Sequence, residues 1–269
     1  MILLQYILPQ HLLSSLMFRF ARIETLWIKN TFTRWFVNKY HVNLAEAEIE
    51  NIEDYIHFND FFTRSLKPSL RPISESAFIS PVDGVVSQAG RISSSQIVQA
   101  KGRKYSVSAL IDGEPFKEIQ NGSFATIYLS PKDYHRIHMP CDGTLISMKY
   151  IPGDLFSVNQ KTVKSIDSVF TRNERLVCLF DTDFGVMVFV LVGAIFVGSM
   201  QTSWEGQITP PYAKVVKNYN YKDSQIKLLK SEELGCFNMG STVIMLLSEN
   251  FPELSVTATQ ELKMGETVI

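Results

Sequence analysis

Cysteine is scarce in this sequence, and no apolar run is long. The three cysteines, Cys141, Cys178 and Cys236, are odd in number and scattered, with no CxxC pair. That excludes a disulfide framework and a cysteine zinc site, and it fits a reducing compartment. Net charge is almost missing too. Lys plus Arg number 26 against 27 Asp plus Glu, leaving −1, which argues against a nucleic-acid partner. The longest apolar stretch, Val186 to Gly198, is too short to cross a bilayer as a helix. Rich in Val, Ile and Phe and broken by Gly193 and Gly198, it reads as a buried β-strand pair. No internal repeat or low-complexity tract stands out. What is present, over 269 residues, is 45% hydrophobic and 20% charged, enough for one sizeable domain plus an appendage.

The appendage is N-terminal. Residues 1–40 are crowded with Leu, Ile, Phe and Trp, interleaved with Arg19, Arg22, Lys29, Arg34 and Lys39 against the single acid Glu24. Acids then follow at Glu46, Glu48, Glu50, Glu53 and Asp54. Leu16, Phe20, Ile23 and Trp27 recur at three- and four-residue spacing, the pattern of one helical face. The first basic residue, Arg19, comes after the apolar stretch, unlike a secretory signal. Residues 1–62 are therefore expected to form an amphipathic helical segment suited to an anionic membrane surface. A helical hairpin packed on the protein's own core is the alternative. From residue 63 to 269 the pattern changes to short β-prone runs between turn residues, including Ala77–Ser80, Gly84–Gln88, Thr144–Ile151 and Leu254–Thr257. The expected fold class is mainly β (α+β): a compact sandwich or barrel-like catalytic domain with short helices only.

Chemistry is concentrated in three places. The C-terminal segment reads Phe237-Asn238-Met239-Gly240-Ser241-Thr242-Val243. A serine after glycine at the mouth of an apolar strand can attack its own preceding carbonyl, and glycine tolerates the strained backbone that this needs. The ester so formed can eliminate and hydrolyse to a pyruvoyl group, whose carbonyl condenses with amines and accepts electrons from a breaking bond. Residues 80–84 read SPVDG and 128–140 read YLSPKDYHRIHMP. His138, oriented by Asp83, is the candidate base for Ser241. A hydrolase nucleophile elbow is absent, because Met239 and Val243 stand where glycines are needed. Asp83-Gly84 also reads as a plain hairpin turn, and Asp83, His135 and His138 together could ligate zinc; both alternatives stay open on these residues alone. His135 lies three residues before His138, an offset that puts the two on opposite faces of an extended segment but lets them converge in a turn.

These motifs, with LQYILP (4–9), FNDFFTRSLKPSLRPI (58–73), QAKG (99–102), YIPGDLFSVN (150–159), NERLVCLFDTDFG (173–185) and ITPP (208–211), closely resemble the bacterial, membrane-associated phosphatidylserine decarboxylases. The resemblance covers essentially the whole chain. The departure at the cut is Met239, where family members usually carry leucine, a swap of similar volume. It implies pyruvoyl-dependent decarboxylation of phosphatidylserine to phosphatidylethanolamine after autocatalytic serinolysis between Gly240 and Ser241. A β chain (1–240) and an α chain (241–269) would stay together as a heterodimer, with further dimerisation left open. Asp83, His138 and Ser241 match the family's self-cleavage triad, Ser241 becomes the pyruvoyl group, and His135 matches the residue acting in decarboxylation. Neither pyridoxal phosphate nor a metal is expected, and attachment is peripheral, on the cytoplasmic face of the cell membrane. Candidates for the phosphate are Lys132, Arg136, Lys101 and Lys104; Phe156 and 153–159 are candidates for an apolar wall around the carboxylate. A pyruvoyl decarboxylase of a soluble amino acid and a membrane-bound β module that never processes itself are the alternatives.

Overall fold

The computed structural model describes residues 2–100, 102–113, 117–196, 199–238 and 241–269, the side chains of Glu118 and Ser241 excepted. A 3₁₀ turn, Leu3–Tyr6, leads into α1 (Gln10–Phe20) and α2 (Leu26–Tyr40), and α3 (Phe58–Phe62) follows. The face expected to run unbroken through Leu16, Phe20, Ile23 and Trp27 is split, because the chain leaves the helix at Ala21 and re-enters at Leu26. The cause is tertiary. The backbone N–H of Asn59 donates to the carbonyl of Ala21 at 2.8 Å, and the Arg22 guanidinium folds back over the Phe18 ring. Beyond the break, Phe36, Tyr55, Phe58, Phe61 and Phe62 bury one another in edge-on aromatic contacts. Lys29 is buried with them because its ammonium donates to the carbonyls of Glu53 and Tyr55, which satisfies the charge locally. One side of the hairpin thus packs on the protein, while Leu3, Ile7 and Trp27 stay 80%, 80% and 72% exposed.

The strands are β1 (Gly84–Arg91), β2 (Gln96–Ala100), β3 (Arg103–Ser106), β4 (Ser123–Leu129), β5 (Arg136–His138), β6 (Gly143–Ile151), β7 (Arg175–Thr182) and β8 (Gly185–Val192). They continue with β9 (Met200–Thr202), β10 (Gly206–Gln207), β11 (Lys217–Asn220), β12 (Lys227–Leu228), β13 (Glu233–Phe237), β14 (Ser241–Leu247) and β15 (Glu261–Leu262). The chain is mainly β and antiparallel, as its short β-prone runs implied. One sheet runs in the order β11-β6-β7-β8-β14-β4-β1-β15 with β12 beside β6, and β10-β9-β13-β5 form a second. Three short helices, α4 (Val107–Ile111), α5 (Gln160–Val163) and α6 (Val169–Arg172), lie with the β2-β3 hairpin on the far face. Ala77–Ser80 and Leu254–Thr257 are not strands. The described residues of the Val186–Gly198 stretch contribute the single strand β8 rather than a pair.

β14 sits in the middle of the large sheet, between β8 and β4. Its residues alternate between two cores. Val243, Met245 and Leu247 join Ile137, Met200 and Phe237 from the second sheet, while Ile244 and Leu246 join the helical side. Burying each such side chain is worth roughly 2 kcal/mol. The strand is therefore held by both neighbours and both cores, independently of its covalent link to β13.

Candidate active site

Asp83 is placed by close backbone contact. A Cβ on Gly84 would stand 2.6 Å from the carbonyl oxygen of Tyr128, so only glycine lets β1 start this near β4. The Asp-Gly step is thus the start of a strand and not a hairpin turn. The Asp83 carboxylate is 1% exposed and fully engaged. Arg71 Nε donates to Oδ1 at 2.9 Å and Nη2 to Oδ2 at 2.5 Å, with Lys263 Nζ at 3.2 Å and the Met264 N–H at 2.9 Å. Burial works to raise this carboxyl. The bonds from Arg71 and Met264 and the charges of Arg71 and Lys263 outweigh it, holding the group below the usual carboxylate range. Arg71 also reaches Glu46 at 2.7 Å.

His138 sits at the end of β5, where its N–H donates to Pro81 O, two residues before Asp83. The side-chain bond expected between Asp83 and His138 is not formed. Nδ1 is 2.8 Å from the Ser231 carbonyl and Nε2 is 3.0 Å from the Tyr134 hydroxyl. A carbonyl only accepts, so Nδ1 carries the proton, and Nε2 keeps its lone pair toward Tyr134. Ser231 therefore supplies the orientation expected from Asp83, while Asp83 acts on the ring through its charge. Burial lowers the His138 pKa; the bond to the Ser231 carbonyl and the Glu233 charge oppose that most, and the Asp83 carboxylate adds a smaller push in the same direction.

His135 is fully buried against the Phe62 ring, 4.2 Å between centroids. Its carbonyl accepts from Phe237 N–H, which places it beside the end of β13. Nδ1 donates to the Asp133 carbonyl at 2.7 Å, and Nε2 has no partner among the described residues. Burial, with the Arg64 charge adding to it, pushes this imidazole down to about 3, so it is neutral and presents a bare lone pair.

The remaining expected residues divide. Gly240 lies outside the described residues, as does Lys101; the Ser241 backbone opens β14, paired to Leu129 of β4. From Leu129 the chain runs directly through the loop that carries Asp133, Tyr134 and His135, so the pairing partner of position 241 leads into both histidines. Arg136 is tied to Glu233 at 2.9 Å and to the Thr63 carbonyl. Lys132 is exposed at the rim of a cavity of about 200 Å³ that Arg64, Arg71 and Lys263 also line. Lys104 is exposed on the β2-β3 hairpin. Phe156 packs in the core on the sheet's other face, under Tyr6 and the Arg172 guanidinium, and not among the histidines. Arg64, Arg71, Tyr134 and Ser231 escaped sequence reasoning. The first two stand in FFTRSLKPSLRPI, where arginines amid phenylalanines were the available signal. Among the described residues, no group of three His, Cys, Asp or Glu has the arrangement of a metal site.

A family model described as phosphatidylserine decarboxylase matches residues 58–269, and one described as PSD matches residues 1–41. The phosphatidylserine decarboxylase proenzyme of Methylobacillus flagellatus is 50% identical over 248 residues, covering 91% of this chain and 89% of the relative. That of Dechloromonas aromatica is 46% identical over 271 residues, covering 98% and 95%. The Saccharophagus degradans proenzyme is 48% identical over 273 residues, covering 99% and 96%. This chain belongs to the phosphatidylserine decarboxylase family.

Proposed function

We propose that this decarboxylase matures by cutting its own chain between Gly240 and Ser241, and then releases carbon dioxide from phosphatidylserine at a membrane surface. The observation that carries the reading is the placement of position 241. It opens a central strand directly opposite Leu129, the residue from which the loop to His135 and His138 departs.

In the cutting step, His138 Nε2 takes the proton of Ser241. Its Nδ1–H is already anchored on Ser231, and Tyr134 holds the accepting nitrogen in the resting state. The Asp83 charge favours the imidazolium that results, and Arg71 keeps Asp83 ionised. The fragments 1–240 and 241–269 remain one particle because β14 is paired on both sides.

A pyruvoyl group at 241 supplies a carbonyl that condenses with the substrate amine and takes up the electron pair released with carbon dioxide. The surroundings fit such a group, since the neutral, unpartnered Nε2 of His135 is a buried acceptor beside the end of β13. His135 handles a proton at that atom during decarboxylation. Because Nδ1 carries the resting proton, Nε2 first accepts one. Lys132, at the rim of the cavity lined by Arg64 and Arg71, and Arg136, paired with Glu233, serve the headgroup phosphate. No described helix is long and apolar enough to cross a membrane. The exposed apolar side chains of residues 1–62, with Arg19 and Lys39, attach the enzyme peripherally at the cytoplasmic face.

Intact mass of the purified protein beside Ser241→Ala tests this. Two chains in the wild type, the smaller starting at 241 and lighter by one ammonia, with one chain in the variant, is the expected result. A single 30.6 kDa chain in both would overturn self-cutting. Activity on phosphatidylserine vesicles and not on free serine separates the lipid substrate from a soluble amino acid.

A further inference from the structure

Glu174, in the NERL run ahead of β7, is a fully buried acid that the chemistry described above leaves unused. The Tyr150 hydroxyl is 2.7 Å from Oε2, while Oε1 has no partner among the described residues. Burial pushes the carboxyl up to about 7, against the lowering effect of the Tyr150 bond and of the Thr209 hydroxyl nearby. The groups facing it are few. Tyr212, which packs on His11, is a second phenol at the carboxyl. The adjacent Arg175 sends its guanidinium to the carbonyls of Ala109, Leu110, Thr171 and Asn173, while Asp154 and Arg172 pair with each other. No described ion pair includes Glu174.

Register sets this acid in line with the cut position. Val192 pairs with Arg175, and the next step joins Gly193 N–H to the Glu174 carbonyl at 2.9 Å. On the other side of β8, Thr242 pairs with Val192, so extending that ladder by one residue brings position 241 opposite Gly193. Cross-strand neighbours share a face and stand about 5 Å apart, so 241, Gly193 and Glu174 form one row about 10 Å long. The middle member has no side chain. A Cβ at Gly193 would lie 3.3 Å from Leu155 Cδ2 and 3.5 Å from Glu174 Oε1, so the unpartnered oxygen reaches over the middle of the row beside the Leu155 side chain.

We propose that Glu174 is the proton-holding acid of the decarboxylation, delivering its Oε1 proton across Gly193 to the substrate carbon from which carbon dioxide has left. The bond between that carbon and the carboxylate breaks, and its electron pair remains on the substrate side. The carbon takes the Oε1 proton, and Glu174 is left as a carboxylate held by Tyr150 until water returns a proton. One proton is consumed per carbon dioxide released. His135 cannot be the resting source, because its Nε2 is bare. The assignment rests on the reading of position 241 as the reacting carbonyl.

The test is Glu174→Gln in the full chain, which preserves shape and a partner for Tyr150. Intact mass comes first: an uncut wild type defeats the reading of position 241, whatever Glu174 does. With both proteins cut, the variant is expected to lose about 100-fold or more in kcat with KM little changed. The wild-type rate should fall as pH rises through about 7, the value to which the Glu174 carboxyl is raised, and the variant should lack that limb. A kcat within about threefold of wild type and an unchanged pH profile would overturn the proposal. Infrared spectra of the uncut Ser241→Ala protein give a readout without activity, and they decide if Glu174→Gln does not cut. A protonated-carboxyl band at pH 6 that disappears when Glu174→Gln is added is expected. Its absence would sink the idea as surely as the kinetics.

Discussion

Arg71 grips Asp83 through two nitrogens at once, Nε on Oδ1 at 2.9 Å and Nη2 on Oδ2 at 2.5 Å, in a site where the carboxylate is almost wholly shielded from water. A side-on grip of this kind fixes both the charge of Asp83 and the direction in which it faces. Lys263, half exposed, adds its charge from solvent but lacks the bidentate geometry.

Arg71→Met should therefore do two things. It leaves a buried carboxylate without its main partner, a loss of about 3–5 kcal/mol in stability. It also removes the field that keeps Asp83 ionised, so the chain should accumulate uncut. The same pair predicts acid lability. The folded carboxyl is depressed, so its stabilisation is present above the unfolded value near 4 and is lost as pH falls through the folded value. Denaturant melts of the uncut Ser241→Ala protein at pH 7 and pH 3, with and without Arg71→Met, measure both effects. The difference between the two proteins should shrink at the lower pH. A difference that stayed constant would show that Arg71 acts through packing rather than charge.

The two histidines should separate on mutation, because their nitrogens have different partners. His138→Ala removes the lone pair held by Tyr134 and should leave one uncut chain, as should Asp83→Asn. His135→Ala should cut normally and lose decarboxylation, because its bare Nε2 belongs to the later step. Tyr134→Phe releases His138 Nε2 without touching Nδ1, so cutting should persist with a changed rate. Mass and carbon dioxide release, measured on the same preparations, report the split. An uncut His135→Ala chain would merge the two roles.

The legible part of the site was the part written in short local motifs. YLSPKDYHRIHMP carried both histidines, and SPVDG carried Asp83 with the glycine that its strand start requires. What spacing could not give was the partner of each group. Asp83 faces Arg71 rather than His138, and Ser231, far along the chain, orients the imidazole. The His138–Ser231 contact closes only when β5 pairs with β13, which is tertiary information. The helix break at Ala21 was hidden for the same reason, since its cause is the N–H of Asn59. Phe156 was misplaced because an apolar residue in a loop looks alike from either side of a sheet. Glu174 stood in a quoted motif, but only the row through Gly193 gives it meaning.

Membrane attachment should depend on apolar side chains more than on charge. Trp27 and Trp35 are 72% and 51% exposed, and Leu3 and Ile7 are exposed on the same appendage. The basic complement is weaker than the sequence implied. Arg34 is paired with Glu53, Arg22 is folded over Phe18 and Lys29 is buried. Burying one Trp or Leu is worth roughly 2–3 kcal/mol, whereas a surface cation gains about 1 kcal/mol that salt screens. Trp27→Glu with Trp35→Glu should then lower partitioning onto anionic vesicles at least 100-fold by sedimentation, with cutting unaffected. Raising salt from about 0.05 to 0.5 M should cost the wild type less than the double substitution does. If salt alone released the protein while the double variant still bound, the cations would be the anchor and the exposed tryptophans incidental.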